Sequence, residues 1–372
     1  MVLNNGDGST AGALGGRLRV KTWSWFADQV QQQREGGFAG WLSDGTPLWA
    51  SGPGTSKTVL NDYATVLNRW LPLSTILKGE PCVVVDLFTR YPITTIQQTG
   101  SDLHITPGVL RGRYQVSFSN GNQREIESHG ELYLQQDLTV KARLNREEYV
   151  ARVLDREAKS EPQEAAKAMA VAIRTYLQQN AQRDGQCLTI EDSSALQRVS
   201  PSAASEGSRA IVAWTQDIIL AGSQVNYHLD TEGENQLSWQ RAVEQAQHGM
   251  RYDAIPASAY PRANLSRWDA PLTTCQAIPE AEAWIKSQQQ GWQEKLYREP
   301  GYNTLTQFAV CRSGAGSPYI DRTKKQIHVR HFYTLQDRLD LTHEYLHLAF
   351  DGYPSGMDEV YIENLTRHLL MD

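Results

Sequence analysis

The stretch LTHEYLHLAF, residues 341–350, indicates an α-helix that carries a metal site. It contains the pattern His-Glu-x-x-His. Each helical residue turns the chain by about 100°, so His343 and His347 are expected about 40° apart on one face. Two neutral imidazoles placed in this way can bind one Zn²⁺. Glu344 points to the same side and would act as the base for a zinc-bound water, whose pKa falls to roughly 7.

The residues around this stretch favour a packed helix. Thr334 is followed three residues later by Asp337, which resembles a capping box and predicts that the helix begins there. The alternative is a helix whose two histidines merely face solvent. The histidines lie beside the apolar stripe of the helix, where a half-buried site would be, and this favours the metal hypothesis. The stripe follows three- and four-residue steps and consists of Leu335, Leu339, Thr342, Leu346 and Phe350.

A catalytic zinc site needs a third protein ligand, which we expect from the next helix. Residues 351–356 contain two glycines and a proline, which end the first helix, and a short loop makes the two helices antiparallel neighbours. Asp358 or Glu359 should then face His347. Glu363, one turn beyond Glu359, is placed to accept the free N–H of a ligand histidine. The preferred order for the third ligand is Glu359, then Asp358, then Glu363.

This set of residues resembles the gluzincin, or thermolysin-like, pattern of metallopeptidases. In that family a glutamate ligand is followed four residues later by an acid that contacts a ligand histidine, as Glu359 and Glu363 would do here. The spacing from His347 to Glu359 is shorter than is usual in the family. The resemblance implies Zn²⁺ as cofactor and peptide-bond hydrolysis as the reaction.

Residues 325–331, KQIHVRH, predict a strand that leads into the metal helix. In zincins an edge strand lines the substrate cleft, where a peptide can pair with it. His328, His331 and Tyr333 therefore become candidates for contacts with the transition state. The alternative for each one is an exposed polar residue on a strand.

Length and composition limit the classes of function. At 372 residues the chain should form two or three domains. With 36 basic and 42 acidic residues the net charge is −6, and no basic block stands out, so nucleic acid is an unlikely partner. No apolar run approaches 18 residues, so no membrane span is expected. The first residues lack the features of a signal peptide, which predicts a cytoplasmic protein or a trimmed mature form.

The four cysteines, Cys82, Cys187, Cys275 and Cys311, show no CxxC spacing, so a structural zinc site is improbable. Together with ten tryptophans, their even number favours the secreted form over the cytoplasmic one. A bridge between Cys275 and Cys311 would close a 36-residue loop, which is worth roughly 3–4 kcal/mol in the chain-entropy model. The alternative is two buried free thiols.

The middle of the chain resembles the stage II sporulation protein D family, which includes the LytB amidase enhancers. After short alternating strands between residues 109 and 144, the segments YVARVLDRE (149–157) and EAAKAMAVAIRTY (164–176) look like the signature of that family. AIVAWTQDIIL (210–220) and YHLDTEG (227–233) look like its later segments. The likeness covers roughly residues 106–262.

This resemblance implies peptidoglycan as a partner, because members of the family act on it. Some are lytic transglycosylases with a glutamate at the position of Glu157. General-acid work on a glycosidic bond would need the pKa of Glu157 to be raised by burial. The alternative is a solvated charge near a helix end. The chain departs from the family where Ala158-Lys159 replaces Met-Pro, Met169 replaces Gln and Glu234 replaces Gly.

The end of the chain also looks like YfaQ-type bacterial secreted proteins, through residues 344–350 and the later Asp358-Glu359. This resemblance implies a periplasmic or secreted location. Together the observations predict a multi-domain α+β protein. It has a β-rich N-terminal domain (1–105), a domain like the sporulation family (106–262) and a minimal zincin-like domain (263–372), which consists of a helix pair with an edge strand.

The expected function is that of a zinc metallopeptidase of the cell envelope, acting on a peptide or peptidoglycan substrate. The first alternative is a peptidoglycan-binding or lytic transglycosylase-like protein that uses Glu157, with a structural metal site. The second is a non-catalytic scaffold of the envelope. The sequence leaves the oligomeric state open.

Overall fold

The computed structural model describes residues 18–28, 33–42, 47–56, 58–59, 62–63, 82–100, 105–228, 236–314 and 316–371. The chain forms two compact units, Met1–Gln216 and Asp217–Asp372. Helices and sheets occur in both, so the prediction of a multi-domain α+β protein is confirmed. Residues 229–235, which include Glu234 and most of the Tyr-His segment, lie outside the described part.

The first unit is built on a three-stranded and a seven-stranded sheet. Its strands are β1 (Leu18–Asp28), β2 (Gln33–Leu42), β3 (Pro47–Pro53), β4 (Cys82–Leu87), β5 (Ile93–Gln98), β6 (Gly108–Phe118), β7 (Gln123–Leu134), β8 (Val140–Asn145), β9 (Gln182–Asp184) and β10 (Cys187–Glu191). The larger sheet has the order β5-β6-β7-β8-β4-β10-β9, and only its pair β4 and β10 is parallel. The valine-rich β4 lies in its interior, as a buried apolar run predicts.

In the continuous described part of the first unit, between residues 105 and 216, three helices pack together, and the central one is buried over most of its length. They are α1 (Arg146–Glu157), α2 (Gln163–Asn180) and α3 (Glu206–Trp214). The small residues of α2 allow its neighbours to approach closely, and residues 165–177 are all buried. Arg174 on α2 is fully buried and its Nη2 lies 2.6 Å from Oε2 of Glu147 on α1. This ion pair joins the two helices.

The compact units do not follow the predicted domain boundaries. Strands β4 and β5 precede residue 105 but belong to the seven-stranded sheet, because β4 pairs with β8 and β10, and β5 pairs with β6. The boundary at 105/106 therefore cuts one sheet. The boundary at 262/263 lies inside the second unit, where residues 218–221 pair with residues 264–267.

The second unit contains small sheets and the helix pair that carries the predicted metal site. Its strands are β11 (Ile218–Ala221), β12 (Asn226–His228), β13 (Gln236–Ser238), β14 (Asn264–Arg267), β15 (Ala309–Arg312), β16 (Tyr319–Asp321) and β17 (Gln326–Val329). Its helices are α4 (Trp239–Gln247), α5 (Ala254–Ala259), α6 (Pro279–Leu296), α7 (Leu335–Ala349) and α8 (Glu359–Met371), with a 3₁₀ turn at Pro354–Met357. One apolar core joins α6, α7 and α8 to β15, β16 and β17.

Helix α7 begins as the sequence predicts. The Thr334 side chain accepts the N–H of Asp337 at 3.2 Å, and the Asp337 carboxylate accepts the N–H of Thr334 at 2.7 Å, which completes a capping box. Leu341, Tyr345 and Leu346 on α7 are fully buried in the core. This packing fixes which face of α7 remains available for polar chemistry.

The prediction that residues 325–331 form an edge strand is wrong. Strand β17 is the centre of its sheet, parallel to β15 and antiparallel to β16. Because its backbone groups are engaged on both sides, β17 cannot pair with a substrate peptide. Alternating residues predict a strand but do not distinguish a central position from an edge.

The four cysteines form two disulfide bonds. Cys275 is bonded to Cys311, with Cα atoms 5.2 Å apart. The structure therefore has the bridge and not the alternative of two free thiols. Cys82 is bonded to Cys187, and these residues are register partners on the parallel strands β4 and β10. Among the described residues, no helix combines the length and apolar character needed to cross a bilayer.

Candidate metal centre

Two imidazoles and one carboxylate converge between α7 and α8. The Nε2 atoms of His343 and His347 lie 3.0 Å apart. Oε2 of Glu359 lies 3.2 Å from Nε2 of His343 and 3.4 Å from Nε2 of His347. Tetrahedral ligands at 2.0–2.1 Å from zinc are about 3.3 Å from one another, so the three distances fit the face of such a site.

The other ring nitrogen of each histidine has its own partner. Nδ1 of His347 lies 2.8 Å from the carbonyl oxygen of Gly356, and Nδ1 of His343 lies 3.4 Å from Oε2 of Glu363. Each Nδ1 can therefore donate a proton outward, which leaves Nε2 as the lone-pair atom directed at the centre. Partners of this kind fix the orientation of histidine ligands in metal sites.

Gly356 allows the connecting turn to approach the end of α7. A Cβ atom at this position would lie 2.4 Å from the carbonyl oxygen of Phe350, which is closer than real Cβ contacts. The absence of a side chain therefore lets the Gly356 carbonyl reach His347. The carboxylate of Asp358 is engaged elsewhere. Its Oδ1 accepts the N–H groups of Val360 and Tyr361 at the start of α8.

The electrostatics of the cluster favour a cation. Burial alone would lower the pKa of His343, but hydrogen bonds to Glu359 and Glu363 raise it to about 10. The same contacts with His343 and His347 lower the pKa of Glu359 against the effect of its burial, and the contact with His343 lowers the pKa of Glu363. The carboxylates thus stabilise positive charge at the position where the donor atoms converge.

Glu344 lies beside this cluster and is not one of the three converging groups. Its side chain is half-buried. Desolvation by burial raises the pKa of Glu344, although the nearby His343, His347 and Arg322 act in the opposite direction. A carboxylate whose pKa is raised toward neutrality is better suited to take up and release a proton.

The three predicted transition-state contacts lie in different environments. His328 is buried on the central strand β17 and stacks on Tyr319 with ring centroids 4.4 Å apart. Burial lowers its pKa to about 3, so it is neutral. Nδ1 of His331 lies 2.8 Å from Oδ1 of Asp337, and Tyr333 is 77% exposed. The rings of His331 and Tyr333 lie 5.7 Å apart, but His328 is not part of this pair, so the three residues do not form one group.

Glu157 is the last residue of α1 and is 8% exposed. This burial excludes the alternative that Glu157 is a solvated charge near a helix end. Its Oε1 accepts the backbone N–H of Arg198 at 2.7 Å. Tyr149 and Tyr176 are close enough that the charge of Glu157 raises the pKa of both phenols, in addition to the effect of their burial. Glu157 is therefore a buried, hydrogen-bonded carboxylate with two tyrosines within electrostatic range.

Sequence reasoning missed several residues around the metal cluster. Arg322 acts electrostatically on Glu344, and its Nη1 and Nε lie 3.4 Å from Asp253 and from Asp351, respectively. Tyr252 also lies within the electrostatic range of Glu344. No sequence pattern links these residues to α7. The sequence shows Gly356 in a loop that contains glycine and proline, but it does not predict the contact of the Gly356 carbonyl with His347.

Two family models match the chain. A family described as "Predicted secreted protein (DUF2300)" matches residues 235–355, and "Stage II sporulation protein" matches residues 134–250. The first description confirms the prediction of a secreted location, and the second supports the predicted likeness to the sporulation family. No solved structure matches the chain at a significant level.

A bacterial relative matches the chain from end to end. "Uncharacterized protein YfaQ" of Escherichia coli (strain K12) is 59% identical over 375 residues, which is 100% of this chain and 68% of the relative. Together with the match to the secreted-protein family, this confirms the YfaQ-type resemblance, whereas no comparison points to zincins. At this identity and coverage, the chain belongs to the YfaQ family of secreted bacterial proteins.

Proposed function

We propose that this protein acts on peptidoglycan in the cell envelope and that its second unit hydrolyses a peptide bond there through a zinc centre. The observation that carries the metal centre is the convergence of three donor atoms at 3.0, 3.2 and 3.4 Å. The likeness to stage II sporulation proteins supports peptidoglycan as the partner. The substrate would be a peptide attached to that polymer or released from it.

His343, His347 and Glu359 would hold the ion, with Glu363 and the Gly356 carbonyl orienting the two imidazoles. A bound zinc ion would supply Lewis acidity toward water and toward a carbonyl oxygen. Glu344 would take the proton from the attacking water and pass it to the leaving amine. Glu359 has a side chain that is 55% exposed, so a substrate can approach this side of the cluster from solvent.

The test is the chemistry of the products. The chain, loaded with zinc, is incubated with purified peptidoglycan and with its soluble peptide fragments, and new amino groups are quantified. Glu344→Gln keeps size and polarity but removes basicity, so we expect metal binding to persist and amine release to fall by 10² or more. The matched control is Glu282→Gln on α6, where the carboxylate pairs with Lys286 on the same helix. Undiminished amine release by Glu344→Gln would refute the proposal.

A second candidate is the cleavage of a glycan strand by Glu157. It is favoured by the match to stage II sporulation proteins and by the burial of this carboxylate. A lytic transglycosylase produces anhydro-sugar ends instead of amines. If this candidate is correct, the same incubation yields anhydro ends that disappear in Glu157→Gln and persist in Glu344→Gln.

A further inference from the structure

The first unit contains a pocket that neither candidate centre uses. Its volume is about 380 Å³, within the range of sites for small molecules. The four arginines that line it are Arg90, Arg124, Arg156 and Arg198, and we call it the arginine pocket. Asp192 is the one carboxylate among its lining residues, so the lining carries a formal excess of three positive charges.

The described part of the protein balances the positive charges of the arginine pocket only in part, through Asp192. Among the described residues, the guanidinium groups of Arg124, Arg156 and Arg198 make no ion pair and no hydrogen bond. Burial lowers the pKa of Arg124, and repulsion by Arg156 and Arg198 lowers it further, against the opposite effect of Asp192. Three like charges gathered in this way repel one another, and an oxyanion that enters the pocket relieves that repulsion.

Asp192 acts as a counterion, because its charge interacts with those of Arg124 and Arg156, but both of its carboxylate oxygens are also engaged by the backbone. Its Oδ1 accepts the N–H of Val199 at 2.9 Å, and its Oδ2 accepts the N–H of Phe88 at 3.4 Å. These hydrogen bonds hold two segments of the pocket wall together. One carboxylate offsets one of the four guanidinium charges, so the lining keeps an excess positive charge for a ligand.

Aromatic side chains form another part of the wall. Phe88 has a φ of 63°, a left-handed conformation that is rare for a bulky residue, and its ring lies 5.3 Å from that of Phe118. Tyr91 is 40% exposed, and Arg90 stacks on its ring at 5.3 Å. Strained backbone that positions side chains is typical of ligand sites. The wall offers flat apolar surfaces next to the cationic ones.

We propose that the arginine pocket binds a saccharide that carries a carboxylate or phosphate group. The guanidinium groups bind the oxyanion through paired N–H donors, which match the geometry of both groups. The aromatic rings contact the apolar C–H face of the sugar. The volume accommodates one or two sugar rings. Glu157 does not line the pocket, although it follows Arg156 in the chain and accepts the backbone N–H of Arg198.

The test is calorimetric titration of the full chain with four probes at low ionic strength. Glucose 6-phosphate and glucuronic acid carry the two oxyanions, glucose lacks them, and inorganic phosphate lacks the sugar. We expect at least one anionic sugar to bind, and to bind at least about tenfold more tightly than glucose and inorganic phosphate. The preferred anionic sugar identifies the oxyanion.

Variants locate the binding. Arg124→Gln and Arg156→Gln should each weaken the binding of the anionic sugar by about tenfold or more, because each removes a charge-assisted contact. Arg113→Gln is the matched control, because Arg113 is exposed on β6 and lies 3.8 Å from Glu127. Thermal melting of each variant shows that the fold is kept. Failure of both anionic sugars to bind, equal binding of glucose or free phosphate, or unchanged binding in both pocket variants would overturn the proposal.

Discussion

The candidate metal centre and the arginine pocket differ in how the chain assembles them. The metal centre takes all three donor groups from residues 343–359, on two helices joined by one turn. The arginine pocket draws its charges from residue 90, the start of β7, the end of α1 and the segment after β10. Helical periodicity reports on the first kind of site, whereas the second kind depends on long-range strand pairing. A site is readable from sequence to the extent that its geometry is local.

The two sites also differ in charge balance. In the metal cluster, Glu359 lies near Nε2 of both histidines and Glu363 lies near Nδ1 of His343, so negative charge surrounds the position where the donor atoms converge. In the arginine pocket, like charges face one another and the nearby carboxylate is held by the backbone. The first site is therefore prepared to hold a cation, and the second to receive an anion.

The largest effect that would break this comparison is expected from the metal ligands. His343→Ala or His347→Ala leaves two donors, which rarely hold zinc, so binding of about one zinc per chain should be lost in each variant. Metal content after dialysis and calorimetric titration measure this. His248→Ala is the control, because His248 is exposed at the end of α4 and contacts the Glu244 carbonyl. Full zinc retention in both ligand variants would mean that the cluster is not a metal centre.

A smaller effect distinguishes a ligand from its supporting acid. Glu359→Gln should cost much more zinc affinity than Glu363→Gln, for which a loss of 10–100-fold is expected because Glu363 only orients His343. Competition with a chelator of known affinity gives both values. The opposite order of the two variants would place the ligand one turn further along α8.

The smallest effect concerns the ion pairs that hold the first unit together. Nη2 of Arg152 lies 2.8 Å from Oε1 of Glu131, and Arg174 pairs with Glu147. Burial acts to raise the pKa of both carboxyl groups, but the arginines lower it below the ordinary 4.5. Their contribution to stability is then complete above about pH 4.5 and is lost as the pH falls through the lowered values.

Urea denaturation at several pH values between 7 and 3 measures this contribution. A pKa shift of one unit corresponds to about 1.4 kcal/mol in the free energy of unfolding. The urea concentration at the midpoint of unfolding should therefore decrease as the pH is lowered. Glu131→Gln should make that pH dependence shallower, whereas Glu127→Gln, an exposed residue of β7, should not change it. A pH dependence that is the same in all three proteins would show that the Arg152–Glu131 pair does not stabilise the fold.

The sequence predicted those features that depend on neighbouring residues. The capping box at Thr334 and Asp337, the start of α7 and the common face of His343 and His347 all follow from the 3.6-residue period. The meeting of Glu359 with both histidines followed from a short loop between antiparallel helices. Each step spans less than about five turns of helix, over which local geometry is regular.

The remaining features depend on contacts that no local pattern encodes. The alternation in residues 326–329 predicts a strand, but its central position is set by β15 and β16. Cys82 and Cys187 are separated by 105 residues and meet because β4 and β10 pair in parallel. Arg124 on β7 and Arg198 in the segment after β10 come within electrostatic range although they are distant in sequence. Pairing of distant strands is what single-sequence reasoning cannot supply.

Gly356 has a consequence for recognising the same centre in other chains. The His-Glu-x-x-His pattern alone occurs by chance in unrelated proteins. Here Nδ1 of His347 contacts the carbonyl oxygen of Gly356, nine residues later. A Cβ atom at position 356 would collide with Phe350, so the position requires glycine. The first histidine meets a glutamate sixteen residues later. A search that requires both the glycine and the glutamate at these distances would select chains by the folding of the turn as well as by the metal ligands.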